Sequence, residues 1–155
     1  MTRTLVSILA LCAVLAGCGG SDEAPATGAD PESAIRSTIE AYQVGIWEGD
    51  DERACAQLAP GALDAMLASD VSKQTGITDC AGMVEQVSAY EHALVAKQYK
   101  DPAAADRFMQ PLLRPKDLKL KITGSTAVAR PFDEPIPLAE QDDGSWRITR
   151  VAVPG

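Results

Sequence analysis

One histidine, four cysteines, three tyrosines and 22 carboxylates are the side chains of this 155-residue chain that could move a proton, attack a carbon or hold a metal. Acid–base work needs a carboxylate or imidazole held out of water, its pKa moved toward neutrality, close to a donor such as tyrosine. His92 is the single imidazole. On the helix read from Asp79 it falls about 150° from the centre of the apolar stripe, on the wet side, so it reads as a solvated side chain rather than a base. A metal centre would have only that histidine, two cysteines and scattered carboxylates to draw on. Asp50, Asp51 and Glu52 lack the spacing and the later glutamate of a calcium loop, and read as a helix cap. No glycine-rich loop follows a strand pattern, and no basic–aromatic array is present. The expectation is a non-enzyme with no catalytic residue, no metal and no cofactor.

The cysteine with the most informative surroundings is Cys18. Arg3 gives a short positive start, and Leu5 to Leu15 is an apolar run of 11 residues, too short to span a bilayer but suited to a secretory signal core. The run closes on Leu15-Ala16-Gly17-Cys18, which resembles the bacterial lipobox at all four positions. The resemblance implies a diacylglyceryl group on Cys18, cleavage before it, and a second acylation at the new amino terminus; two or three chains anchor firmly where one binds marginally. Ordinary signal cleavage, with Cys18 incidental, is the alternative. Residues 19–30, "GGSDEAPATGAD", contain no large apolar side chain and cannot build a core. They read as a tether with a root-mean-square span of about 17 to 20 Å and an extended reach of about 40 Å. The expected organisation is a signal peptide over 1–17, a lipidated cysteine and acidic tether over 18–30, and one folded domain over 31–155, lipid-anchored at the cell membrane on its extracytoplasmic side.

Cys12 falls in the leader, which leaves Cys55 and Cys80. Neither belongs to a C-x-x-C pair or neighbours a lysine or histidine, and both lie beside apolar helical stripes, which argues against a reactive thiolate. An even pair in an exported chain reads as a structural disulfide, closing a loop of about 26 residues. Free buried thiols and a redox couple are the alternatives.

The formal charge is −8, unevenly spread: residues 18–113 hold 16 acids and 6 bases, residues 114–155 hold 6 acids and 7 bases. As a whole such a chain is repelled by phosphate backbones and anionic lipid, which excludes nucleic acid as an expected partner. Recruitment of a basic partner is a lesser reading than a solvated surface.

The elements that would position these residues fall into two blocks. Asp30-Pro31 starts a helix in which Ile35, Ile39, Tyr42 and Ile46 form a stripe, ended by Gly49 and Asp50. A short helix follows with Ala54, Cys55 and Leu58, and another starts at Pro60. Residues 69–79 read as a polar loop. Asp79 caps a helix whose stripe is Cys80, Met83, Val84, Val87, Tyr90 and Leu94, and Asp101-Pro102 opens a brief helix to about Gln110, packing Phe108. Beyond it the period becomes two: Leu118, Leu120 and Ile122 alternate with Lys119, Lys121 and Thr123. Gly124-Ser125 turns, "TAVARPF" returns, "PIPLAE" reads as an edge strand because of its prolines, and Asp143-Gly144 turns into "SWRITRVAV". Helices first and an antiparallel meander second give an α+β domain with helices packed on one face of a curved sheet.

This order, the segment "AYQVGIWEGDDERACAQL", the second cysteine opening a long helix and the closing "DDGSWRITRV" resemble small secreted lipoproteins of the nuclear transport factor 2-like superfamily over about residues 31–153. The resemblance implies a cone between the helices and the concave sheet, with Tyr42, Trp47, Tyr90 and Trp146 as candidate lining residues. Arg130 and Arg150 suit an anionic ligand or a rim carboxylate equally. It also implies a function: a membrane-tethered, non-enzymatic domain binding a small ligand or an envelope protein. Two alternatives stand beside it, an isomerase- or cyclase-like acid–base enzyme with a carboxylate in the cone, and a module for homodimerisation or envelope assembly.

Overall fold

Capping chemistry sets most of the helix boundaries. Asp30 accepts a hydrogen bond from the Ser33 N–H at 3.2 Å and Pro31 fills the first turn, starting α1 (Pro31–Glu48). Gly49, at φ +69°, closes that helix in a left-handed conformation that a Cβ would strain. Asp50 then accepts from the Arg53 N–H at 3.0 Å to start α2 (Asp51–Cys55), and Pro60 lies in the first turn of α3 (Pro60–Leu67). Asp79 caps α5 (Cys80–Gln98) through the Gly82 N–H, and Asp101 caps α6 (Pro102–Leu113) through the Ala103 N–H. The computed structural model describes residues 30–114, 116, 118–131 and 135–151. The leader, the lipobox with Cys18, and the tether up to residue 29 lie outside them.

Two helical expectations are corrected. Residues 69–79 are not all loop: α4 (Asp70–Thr75) is capped by Ser69 and closed by Gly76 at φ +75°. A six-residue helix is too short to display an apolar period, and its anchor is a polar one, the buried Ser72 hydroxyl donating to the Met66 carbonyl at 2.7 Å. Helix α6 continues beyond Gln110 through Pro111 to Leu113. Proline there removes one bond of the final turn, and the burial of Leu113 holds the turn in place.

Four strands, β1 (Lys119–Thr123), β2 (Thr126–Arg130), β3 (Ile136–Glu140) and β4 (Trp146–Ile148), form an antiparallel sheet in the order β1-β2-β3-β4. Gly124 and Gly144 adopt positive φ at the two tight turns. The edge assignment of "PIPLAE" is corrected, because β3 pairs with β2 on one side and β4 on the other. Pro137 is tolerated because it lies opposite Thr149, one residue past the end of β4, where its carbonyl still accepts from the Thr149 N–H at 2.9 Å. The outer edge of β4 is also covered. Ile148 donates to the Gln57 carbonyl, the Ala59 N–H donates to Ile148, and the Thr38 hydroxyl donates to the Trp146 carbonyl. Among the described residues the free edge is β1, carrying Lys119 and Lys121, the residues that discourage edge-to-edge pairing.

The fold is therefore α+β, with six helices and an open sheet among the described residues. Ala127, Ala129, Leu138 and Ile148 project from one sheet face against Ile35 and Ile39 of α1 and Met83 and Val84 of α5, all of them buried. Burying one such aliphatic side chain contributes about 1.5–3 kcal/mol. Among the described residues, every buried hydrophobic side chain lies between Ile35 and Ile148. Helix α1 meets α2 at Gly45, where a Cβ would stand 2.7 Å from the Ala54 backbone nitrogen. The second half of α5 departs from the expected stripe: Tyr90 and Leu94 are exposed, since a helix of about 28 Å outruns the core it covers. Phe108 is exposed as well, tilted against Tyr99 with ring centroids 5.0 Å apart. No helix among the described residues is long and apolar enough to cross a membrane.

Cys55 and Cys80 meet at disulfide-bonding distance, with Cα atoms 6.1 Å apart, joining the end of α2 to the start of α5. A bridge across a separation of 25 residues stabilises by about 3.5 kcal/mol on the chain-entropy account. A Cys55→Ser/Cys80→Ser variant is expected to lose about that much in urea unfolding, and the wild type to lose a similar amount on reduction.

Candidate functional site

A pocket of about 260 Å³ opens where α1, α5 and α6 pass over the ends of the strands. Its walls are chiefly apolar. Ile46 of α1, Val87 of α5 and Leu113 of α6 face Ile136 and Ile148 of the sheet, and Pro131 and Pro135 border it from the β2–β3 connection. Four polar side chains interrupt the apolar lining: Tyr42, Gln43, Glu91 and Arg150.

Tyr42 and Gln43 are adjacent on α1, on the turn between the fully buried Ile39 and Ile46. Burial raises the Tyr42 pKa well above the usual phenol range, and the nearby Glu91 charge pushes it in the same direction. The hydroxyl is thus a neutral donor throughout the physiological range. Glu91 lies one turn beyond Val87 on α5; burial raises its pKa above the ordinary carboxylate value, and the adjacent His92 pulls part of that back. The Gln43 side-chain carbonyl oxygen is buried without a hydrogen-bond partner among the described residues. Such an orphaned acceptor costs about 1–3 kcal/mol. Arg150, exposed at the rim, forms no ion pair among the described residues.

His92 is exposed, as its helical position suggests, and it is also held against α1. Its Nε2 donates to the Trp47 carbonyl at 2.8 Å, and its ring stacks on the Trp47 indole with centroids 4.0 Å apart. Trp47 lies in the last turn of α1, where carbonyls lack helical partners, so His92 supplies a cap from a neighbouring helix. The apolar stripe of the first half of α5 does not govern its second half. With His92 fixed against α1, the preceding Glu91 is turned into the pocket.

Of the four aromatic candidates, Tyr42 lines the pocket. Trp47 is buried in a satellite cluster with Val44 and Leu113, Trp146 is buried in the main core, and Tyr90 is about half exposed on α5. Glu91 and Gln43 were missed in the sequence. The signal for Glu91 was present: Met83, Val87 and Glu91 follow one another at steps of four, so a carboxylate continues an apolar stripe. Among the described residues no group of histidine, cysteine, aspartate or glutamate could hold a metal ion.

The raised Glu91 pKa has a definite sign for stability. The folded protein holds this proton more tightly than the unfolded chain does, so the contribution is present at low pH and is lost as pH rises above the usual carboxylate range. Thermal unfolding of Glu91→Gln is expected to gain on the wild type as pH rises through the carboxylate range toward pH 7, because the amide avoids the partly buried charge. Identical pH profiles would remove the case for a buried ionisable group here. In comparisons with known proteins, no family model, no curated protein and no solved structure matches the chain.

Proposed function

We propose that the chain is an extracytoplasmic, lipid-anchored domain of the nuclear transport factor 2-like type that binds a small ligand in the pocket beside Tyr42 and Glu91. The lipobox motif and the polar tether support the anchor. The helices on one face of an antiparallel sheet, with a pocket between them, support the cone. The observation that carries the binding reading is the placement of a neutral phenol, a carboxyl of raised pKa and an unpartnered amide carbonyl within one apolar cavity. At about 260 Å³ the cavity suits a compact, mostly apolar metabolite with an acceptor for the Tyr42 hydroxyl and a donor for Gln43.

The same pair favours a second reading, proton transfer on a bound substrate. Glu91 would take the proton, and the Tyr42 hydroxyl would donate to the oxygen on which negative charge develops. The two readings separate on turnover, since a binder returns its ligand unchanged.

A thermal-shift and calorimetric screen of small apolar acids, ketones and alcohols against the fragment beginning at Gly19 tests the site. The expected result is a ligand whose affinity falls about three- to tenfold in Tyr42→Phe, the loss of one hydrogen bond. Ligands indifferent to both Tyr42→Phe and Glu91→Gln would place binding elsewhere. For the anchor, the full-length product should stay in the membrane fraction and carry acyl label, and Cys18→Ser should lose both; equal membrane partition and labelling of the two would remove Cys18 as the lipid-bearing residue.

A further inference from the structure

The sheet face turned away from the helices is basic. Strand register places Lys119 opposite Arg130, Lys121 opposite Val128, Thr126 opposite Ala139, and Ala139 opposite Arg147. Directly opposed residues point to the same face, and residues two apart on a strand do too. Lys119, Lys121, Arg130 and Arg147 therefore share one face, while their neighbours Ala127, Ala129, Leu138 and Ile148 fill the core on the other. Lys119, Lys121 and Arg130 are exposed, and none of the four forms an ion pair among the described residues. Arg147 is partly buried, bonded to the Gln57 side chain at 3.5 Å and within electrostatic reach of Asp143 in the turn before β4. Strand β3 contributes no acid to this face: Glu140 is paired with Trp146, on the side of the buried residues.

Edge protection explains Lys119 and Lys121 on the free strand β1. It does not explain Arg130 or Arg147, which stand on β2 and β4, neither of which is an open edge. A basic face is also contrary to the composition, whose net charge is −8. The surplus acids of α1, α2 and α5 lie behind the sheet, separated from this face by a layer about 10 Å thick. That is about one Debye length at 0.1 M salt, so an anionic surface meeting the sheet feels the local cations more than the net charge.

We propose that this face, through Lys119, Lys121, Arg130 and Arg147, docks the domain on the anionic phosphate surface of a lipid bilayer. The choice of a bilayer rests on the tethered reading given above: a tether spanning about 17 to 20 Å confines the domain near the membrane at high effective concentration. Weak electrostatic contacts then suffice, each lysine or arginine at an anionic surface being worth roughly fivefold in partitioning. A second copy of the chain is a poorer occupant, because twofold pairing of this face would oppose like charges.

The fragment from Gly19, which contains every buried residue among those described and lacks Cys18, isolates the face from the anchor. Co-sedimentation at 50 mM salt should show binding to vesicles of equal phosphatidylglycerol and phosphatidylcholine and none to phosphatidylcholine alone. Lys119→Gln/Lys121→Gln, both at exposed positions, should lower that binding by at least tenfold with an unchanged circular dichroism spectrum, and 300 mM salt should abolish it. Absence of binding to the anionic vesicles overturns the proposal, as does binding that the double variant leaves intact. Self-association of the fragment in sedimentation equilibrium, lost in the double variant and unaccompanied by vesicle binding, would assign the face to a second copy instead. Because the fragment carries no acylation site, a non-lipidated wild type would not alter any of these results.

Discussion

The burial of α1 between the sheet and α5 is the interaction on which the other features depend. Ile35 and Ile39 are wholly inaccessible, and the Thr38 hydroxyl between them in sequence bonds the Trp146 carbonyl. One helix face thus satisfies the hydrophobic requirement of the sheet and part of the hydrogen-bonding requirement of its last strand. Gly45 lets α2 approach within a distance that no side chain would allow, and the Cys55–Cys80 pair ties α2 to α5. Helix α1 is held from three directions, and the segment 57–59 is left alongside β4, where it covers the strand edge.

The pocket is a consequence of that arrangement. Beyond Ile39, α1 continues past the well-packed centre, and so does α5 beyond Val87; the strands end beneath them, and α6 closes the remaining side. A space of this kind would be filled by leucine or phenylalanine if stability alone decided. Tyr42, Gln43 and Glu91 occupy it instead, with an unpartnered amide oxygen and two groups whose burial opposes their charged forms. Polar groups that destabilise a core without an evident compensating bond are characteristic of sites that meet a ligand.

Charge is segregated in the same architecture. The acids that cap helices, among them Asp30, Asp50, Asp79 and Asp101, belong to the helical layer because helix N-termini demand them. The sheet has no such demand, and its outer face collected cations. Of the bases in the C-terminal part, Lys119, Lys121, Arg130 and Arg147 share that outer face, while Arg114 pairs with Glu40 of α1 and Arg150 lines the pocket.

What the sequence determined by itself was local. Four aspartate caps, the glycine closures at Gly49, Gly124 and Gly144, and the alternation around Leu118–Ile122 depend on residues within a few positions of one another, and each was legible without the rest of the chain. The two remaining cysteines could also be paired, because few alternatives were left. The missed features are those decided between distant segments. Short α4 has no period to read, and the prolines of β3 suggest an edge until β4 ends beside Pro137. His92 reads as exposed and is so, but its bond to the Trp47 carbonyl and its stacking on that ring, 45 residues away, have no local signal. Glu91 broke an apolar stripe in plain view, yet only the packing of α5 against α1 decided that this face bounds a pocket rather than solvent. Caps and periodicity are set by backbone geometry over one or two turns; burial, register and pocket formation are set by which surfaces meet, and that is fixed only when the chain has closed on itself.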